Sequence, residues 1–171
     1  MRTTLRFGGL LGALAGLFLL MGCSSGISVN SDYDHQFDFQ TLKTYAIHPQ
    51  ITAKTLNLIQ QRVVTAIDAD LAKKGFTKVD TGAADFLVAF QTSAQDKVDV
   101  SSWGYGGWYG YGGVSAYSYT EGQLTIDMVD RDDSQMIWRG TGTALAGSKA
   151  PDQEQVTFAV QKIMGAFPPR K

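Results

Sequence analysis

The sequence predicts an α+β domain, a mostly antiparallel β-sheet with two amphipathic helices packed on one face. Two segments, near residues 53–74 and 151–166, carry apolar residues at steps of three and four, as amphipathic helices do. Residues 123–143 contain two alternating runs around a polar turn, which predicts a β-hairpin. The order of elements is strand, strand, helix, several strands and helix, so hairpins dominate over the crossovers that parallel sheets require.

The first segment resembles a secretory leader. Arg2 and Arg6 precede residues 7–22, an uncharged run of apolar residues and glycine. The run is shorter than the roughly 20 residues that span a bilayer. A charged start, a short apolar middle and a small-residue end are typical of a signal peptide.

Cys23 follows this run directly. Residues 20–23, Leu-Met-Gly-Cys, resemble the bacterial lipobox, and Cys23 is the only cysteine of the chain. The resemblance implies cleavage before Cys23 and acylation of its thiol. Ser24 and Ser25, rather than an aspartate, imply sorting to the outer membrane. The alternative is an ordinary signal peptide with a coincidental cysteine.

The domain division follows from these features. We expect a lipoprotein signal peptide over 1–22, a lipidated tether over 23–30 and a single α+β domain over 31–171. Residues 27–30 already alternate, and residues 44–47 read as a short strand that ends before Pro49.

The first helix is predicted from Ala53 to Lys74. Thr52 is the expected N-cap, and Gly75 suits the position after the helix end. Lys73 and Lys74 favour the negative end of the helix dipole. Its apolar stripe comprises Leu56, Ile59, Val63, Ala66, Ile67 and Leu71.

The second half reads mostly as strands. We predict strands over 76–79, 86–90 with a more polar continuation to 100, 123–129 and 136–143, with a turn over 130–134. A second helix opens at 151–152 and ends before Pro168 and Pro169. Its apolar stripe comprises Val156, Ala159, Val160, Ile163 and Met164.

Composition excludes several classes of function. Lys and Arg number 15 against 16 Asp and Glu, so bulk charge does not favour nucleic acid. One cysteine permits no disulfide framework. His35 and His48 are too few for a transition-metal site, and no G-x-S-x-G nucleophile elbow is present.

Residues 103–113 consist only of glycine and aromatic residues. Aromatic rings on a glycine-rich backbone can stack on sugars, on other rings or at a membrane interface. The structural alternative is a long hairpin tip that packs its own rings. The candidate ligand or partner residues are Trp103, Tyr105, Trp108, Tyr109 and Tyr111.

A cluster of carboxylates follows the third predicted strand. Asp127, Asp130, Asp132 and Asp133 could suggest calcium or a glycosidase pair, but the stretch lacks the register of an EF-hand loop. We therefore interpret it as a solvated hairpin turn.

The chain resembles the bacterial lipoprotein family catalogued as domain of unknown function 4136. The resemblance lies in the lipobox, residues 37–45, the aromatic-glycine tract, residues 119–144 and the closing helix. Its most specific part is the hairpin that starts at Glu121-Gly122 and ends in Ile137-Trp138-Arg139-Gly140. It implies an envelope location and an α+β domain, but no activity, so Cys23 is the only functional residue it transfers.

We therefore expect a non-enzymatic lipoprotein without a cofactor, held on the periplasmic side of the outer membrane by its lipid. Its partners would be an envelope glycan or protein, and not nucleic acid. The alternative is an accessory subunit of an envelope transport or assembly complex.

Overall fold

A computed structural model describes residues 26–51, 56–103, 113–147 and 149–169. The strands are β1 (Ile27–Tyr33), β2 (Thr44–Ile47), β3 (Thr77–Lys78), β4 (Phe86–Trp103), β5 (Gly113–Asp130) and β6 (Met136–Leu145). The helices are α1 (Leu58–Lys73) and α2 (Gln153–Ile163), and short 3₁₀ turns cover Phe39–Thr41, Thr81–Ala83 and Met164–Ala166. The α+β class predicted from the sequence is confirmed.

The six strands form one mixed sheet in the order β1-β6-β5-β4-β2-β3. The pairs β1–β6, β6–β5 and β5–β4 are antiparallel, whereas β4–β2 and β2–β3 are parallel. The prediction of a mostly antiparallel sheet missed the parallel side. The parallel pairing arises because α1 connects β2 to a parallel neighbour, β3. The sequence did not indicate this pairing because β3 is only two residues long.

Both helices pack on one face of the sheet. Successive strand residues point to opposite faces, so alternate positions of β4 and β5 reach the same core. That core joins both helices to the sheet and includes Val63, Ile67, Leu71, Phe86, Val88, Ile126, Met128, Trp138, Val160 and Ile163. The other face carries a small cluster around Leu87.

The start of α1 differs from the prediction. Asn57, not Thr52, is the N-cap: its side chain accepts the N–H of Gln60 at 2.9 Å, and the Gln60 side chain accepts the N–H of Asn57 at 3.0 Å. Thr52 and Ala53 lie outside the described residues. The reciprocal capping box satisfies two free donors at once and fixes the helix start there. Gly75 does follow the helix, with φ +89°.

The C-terminal part of α2 approaches β6 closely. A Cβ at Gly140 would lie 2.3 Å from Trp138 Cη2 and 2.7 Å from Ile163 Cγ2. A Cβ at Gly142 would lie 2.7 Å from Ile163 Cδ1. The two glycines therefore provide the space that Ile163 of α2 and the Trp138 ring occupy.

Strands β4 and β5 extend beyond the rest of the sheet as a two-stranded arm. The register with β6 ends at Glu121, but β4 and β5 stay paired from Lys97 with Tyr119 to Trp103 with Gly113. In the described part of the chain, no third strand pairs with these residues. At about 3.4 Å per residue the arm is roughly 20 Å long.

β1 begins at Ile27, so the sheet starts inside the segment predicted as a tether. Ile27 lies opposite Ala144 of β6, and the whole of β1 is paired to that strand. None of the described helices is long and apolar enough to cross a membrane.

Candidate functional site

The structure describes only a small part of the predicted site. Cys23 and four of the five aromatic candidates, Tyr105, Trp108, Tyr109 and Tyr111, lie outside the described residues. The backbone of Trp103 ends β4 and pairs with Gly113 at the end of the arm. The aromatic-glycine tract thus starts and finishes where the arm ends.

Strand register places the start of β1 and the base of the arm at the same end of the sheet. Ile27, Ala144, Gly122 and Ala94 form one row across β1, β6, β5 and β4. β1 and β5 are both antiparallel to β6, so the two strands run in the same direction. The chain that precedes Ile27 therefore leaves the row on the side to which the arm extends.

A cleft of about 690 Å³ lies at this end, between the sheet, the start of α1 and α2. Its floor includes the small residues Ala94, Gly122 and Ala144. Apolar residues of the sheet and of both helices supply most of its remaining wall: Ile27, Ile59, Val63, Leu124, Val156, Phe158, Ala159 and Ile163. Sequence reasoning missed this site because its residues come from six elements, four strands and two helices, that meet only in the folded chain.

The cleft has almost no charge. Among the described residues that line it, Lys149 is the only one with a charged side chain. Lys149 is exposed and has no ion-pair partner in the described chain. Phe158, one of its apolar residues, is 39% exposed, so apolar surface continues to the rim.

A second cavity of about 640 Å³ lies at the C-terminal end of α1. Its wall combines Asp38, Lys74 and Phe167 with residues of two 3₁₀ turns, Phe39–Thr41 and Met164–Ala166. The Lys74 side chain donates to the carbonyl of Met164 and lies 2.8 Å from Asp70 Oδ2, which ties α1 to the end of α2.

The acidic cluster stabilises the β5–β6 hairpin. Asp127 accepts two hydrogen bonds from Arg139, at 2.6 and 2.8 Å, across β5 and β6. Asp130 Oδ1 accepts the N–H of Asp132 at 2.7 Å, and Asp133 Oδ1 accepts that of Gln135 at 2.9 Å. Most of these carboxylates thus hold the turn and the strand pair together.

The two histidines lie in local contacts. The His35 ring packs against Tyr33 with centroids 4.3 Å apart, and His48 Nδ1 accepts the N–H of Gln50 at 3.3 Å. Within the described ranges, no three His, Cys, Asp or Glu side chains are grouped as metal ligands would be.

Four described groups have shifted pKa values, and two of them, Asp85 and Tyr45, lie at or next to β2. Burial acts to raise the pKa of the Asp85 carboxyl, but the N–H groups of Lys43 and Thr44, each 2.8 Å from Oδ2, outweigh it and keep that pKa below its usual value. Burial, together with the hydrogen bond to Asp68 Oδ1 at 2.9 Å, raises the pKa of the Tyr45 hydroxyl. Each bond links β2 to a neighbouring element.

The described residues form a small α+β module with an apolar cleft and a projecting β-arm. The model of the family described as Domain of unknown function (DUF4136) matches residues 29–169, so the chain belongs to that family. The resemblance noted in the sequence is thereby confirmed, and the family carries no assigned activity.

Solved structures are similar to the chain at low sequence identity. A PDZ domain protein from Parabacteroides distasonis is 16% identical with a TM-score of 0.56, over 85% of this chain and 36% of that chain. This chain thus corresponds to about a third of that protein. The PelC dodecamer from Paraburkholderia phytofirmans is 13% identical with a TM-score of 0.48, over 85% of this chain and 99% of that chain. No curated protein matches the chain by sequence.

Proposed function

We propose that the chain is a non-catalytic lipoprotein of the bacterial outer membrane, a binding or structural module that faces the periplasm. The observation that carries the proposal is the shared end of the sheet. The lipobox cysteine, Cys23, precedes Ile27 by four residues, and the arm leaves the sheet on the same side. A lipid on Cys23 would therefore direct the arm towards the membrane.

The lengths involved support this orientation. Four residues span at most roughly 14 Å, so Cys23 stays close to the row through Ile27. The paired strands continue nine residues past Gly122 to Gly113, which is about 30 Å along a strand. The end of the arm thus extends farther from the row than Cys23 can reach. Because the sequence there is rich in Trp and Tyr, we infer that it meets the membrane interface or its glycans.

The absence of catalysis is inferred from where the carboxylates lie. Asp127 is engaged by Arg139, and Asp130 and Asp133 accept backbone N–H groups of the turn. The described lining of the large cleft holds no carboxylate at all. A hydrolase of the glycosidase type needs two carboxyl groups facing each other across a cleft.

Fluorescence quenching tests the orientation of the arm. The lipidated protein is reconstituted into vesicles of phosphatidylethanolamine and phosphatidylglycerol, with and without brominated acyl chains. Trp138 is buried and contributes background, so the protein carries Trp138→Phe. We expect bromolipid to quench the emission of Trp103 and Trp108. The matched control is the single variants Trp103→Phe and Trp108→Phe in the same background, each of which should lose part of the quenched signal.

Unquenched emission in the Trp138→Phe protein would contradict the orientation. Retention on peptidoglycan or lipopolysaccharide then tests the alternative, in which the aromatic tract binds glycans and not the membrane interface. A glycan-binding arm loses retention when Trp103, Trp108 and Tyr111 become alanine, whereas Met136→Ala, an exposed apolar residue outside the arm, leaves it unchanged. Equal retention of both variants would exclude the arm as the glycan site.

The second candidate function, an accessory subunit of an envelope complex, is favoured by the free edge of β1. β1 pairs with β6 on one side only, and within the described residues no strand covers its other edge. Such an edge can accept a partner strand. Crosslinking in native membranes, with a photoreactive residue at Ser28 or Asn30, should capture a defined partner. The same crosslinker at Asp133, in the hairpin turn, is the control, and an empty lane at both β1 positions would exclude this function.

A further inference from the structure

We propose that the apolar cleft beside the row of small residues Ala94, Gly122 and Ala144 binds one long-chain fatty acid. The alkyl chain would lie between the sheet and the helices, and the carboxylate would lie at Lys149. This inference concerns a ligand site, and it does not depend on how the protein is anchored.

Small residues line the cleft on the sheet side. The row Ala94, Gly122 and Ala144 faces the helices, because the same strand positions two residues on, such as Leu124, belong to the core. These small residues leave space at this end of the sheet, whereas larger residues fill the sheet–helix interface farther along the strands. A Cβ at Gly122 would have no atom nearer than 3.8 Å, so the floor is open above it.

The size and polarity of the cleft support the proposal as well. Its volume of about 690 Å³ falls within the roughly 300–1,000 Å³ of small-molecule sites. The wall is built mainly from aliphatic side chains, with Ile59 and Val63 on α1 and Val156 and Ile163 on α2. A flexible alkyl chain needs such a wall and no directed hydrogen bonds.

Charge complementarity selects the kind of lipid. Lys149 stands alone at the rim, and the described lining offers it no carboxylate partner. One cation next to an uncharged apolar cleft matches a ligand with one anionic head and one apolar tail. A neutral lipid would form no ion pair with Lys149, and an acidic peptide would meet only this one cation.

Photocrosslinking in isolated membranes tests the site on the protein as it occurs. The probe is a palmitic acid that carries a diazirine in its chain, and the crosslinked peptides are located by mass spectrometry. We expect the adducts on the first turns of α1 and α2, around Ile59 and Val156. The corresponding diazirine-bearing alcohol, which lacks the carboxylate, should give weaker labelling of these peptides, by up to about fivefold.

Two substitutions separate the tail from the head of the ligand. Gly122→Leu fills the floor, and we expect labelling of the cleft to fall about fivefold or more. Ala94→Leu in the same row is the second such variant, should Gly122→Leu fail to resist limited proteolysis. The matched control is Gly82→Leu, because Gly82 is also an open glycine but lies in a 3₁₀ turn outside the cleft. This variant should leave labelling unchanged. Lys149→Gln should remove the preference for the acid over the alcohol, and Lys149→Arg should preserve it.

Three results would overturn the proposal. The first is labelling spread evenly over the surface, and the second is cleft labelling that survives both Gly122→Leu and Ala94→Leu. The third is labelling of the cleft only when Cys23→Ala removes the lipidation site, because the cleft would then hold the protein's own acyl chain.

Discussion

Gly140→Ala tests the packing of α2 on β6, which holds the helix layer to the sheet. The new Cβ would lie 2.3 Å from Trp138 Cη2 and 2.7 Å from Ile163 Cγ2. Trp138 is 1% exposed and Ile163 is 0% exposed, so neither side chain can move into solvent. Overpacking of this kind costs about 1–3 kcal/mol. Removing a glycine from a strand returns about 0.5–1 kcal/mol, so we expect a net loss of roughly 1–2 kcal/mol.

The assays are urea unfolding, for the free energy, and thermal unfolding of the purified chain, both followed by tryptophan fluorescence. At about 2–4 °C per kcal/mol for a protein of this size, the melting temperature should fall by roughly 2–8 °C. Gly122→Ala is the matched control, because its Cβ meets nothing within 3.8 Å and the variant should be neutral or slightly more stable. If Gly140→Ala is as stable as Gly122→Ala, the close approach of α2 to β6 is refuted.

Three further predictions concern single interactions. Asn57→Ala removes one half of the α1 capping box and should lower the free energy of unfolding by about 1 kcal/mol, measured by urea unfolding; an unchanged value would argue against this helix start. Asp85→Asn removes a carboxylate whose pKa is lowered by folding, so its stabilisation is present at neutral pH and is lost as the pH falls through the folded-state pKa. Because Asp85 is exposed to solvent, this variant should be only about 0.5–1 kcal/mol less stable than wild type at pH 7, with the difference disappearing in acid; a pH-independent difference would contradict the assignment. Arg139→Ala breaks an exposed cross-strand pair with Asp127, so thermal melts should show a loss of only about 0.5 kcal/mol, and a loss several times larger would show a structural role beyond that pair.

The periodic segments were predictable because their signal is local. Val63, Ile67 and Leu71 of the first helix, and Val156 and Ile163 of the second, are buried as their spacing indicates. The short strand at 44–47 has the predicted bounds, since Pro49 ends it locally. These elements need no information from distant parts of the chain.

The start of the first helix shows how periodicity can mislead. Leu56 continues the apolar stripe, so the pattern alone extends the helix towards Ala53. The side chains of Asn57 and Gln60 decide otherwise, because a reciprocal cap satisfies backbone donors at that position. The N-x-x-Q signal was present in the sequence and outweighs one additional apolar residue.

The mixed sheet and the cleft could not be obtained from the sequence. β3 has two residues, and its parallel pairing with β2 depends on α1 crossing between them. The cleft depends on Ala94, Gly122 and Ala144 lying side by side, which follows from strand register over 22 to 50 residues of separation. A shift of one residue would send each of them to the opposite face.

The most direct test of the account is the mass of the N-terminal peptide of the native protein, isolated from separated outer and inner membranes. The account predicts a peptide from the outer membrane that begins at Cys23 and carries its acyl chains, and that is missing from a strain with Cys23→Ala. An uncut chain with Met1 at its end, recovered from the cytosol, would contradict it.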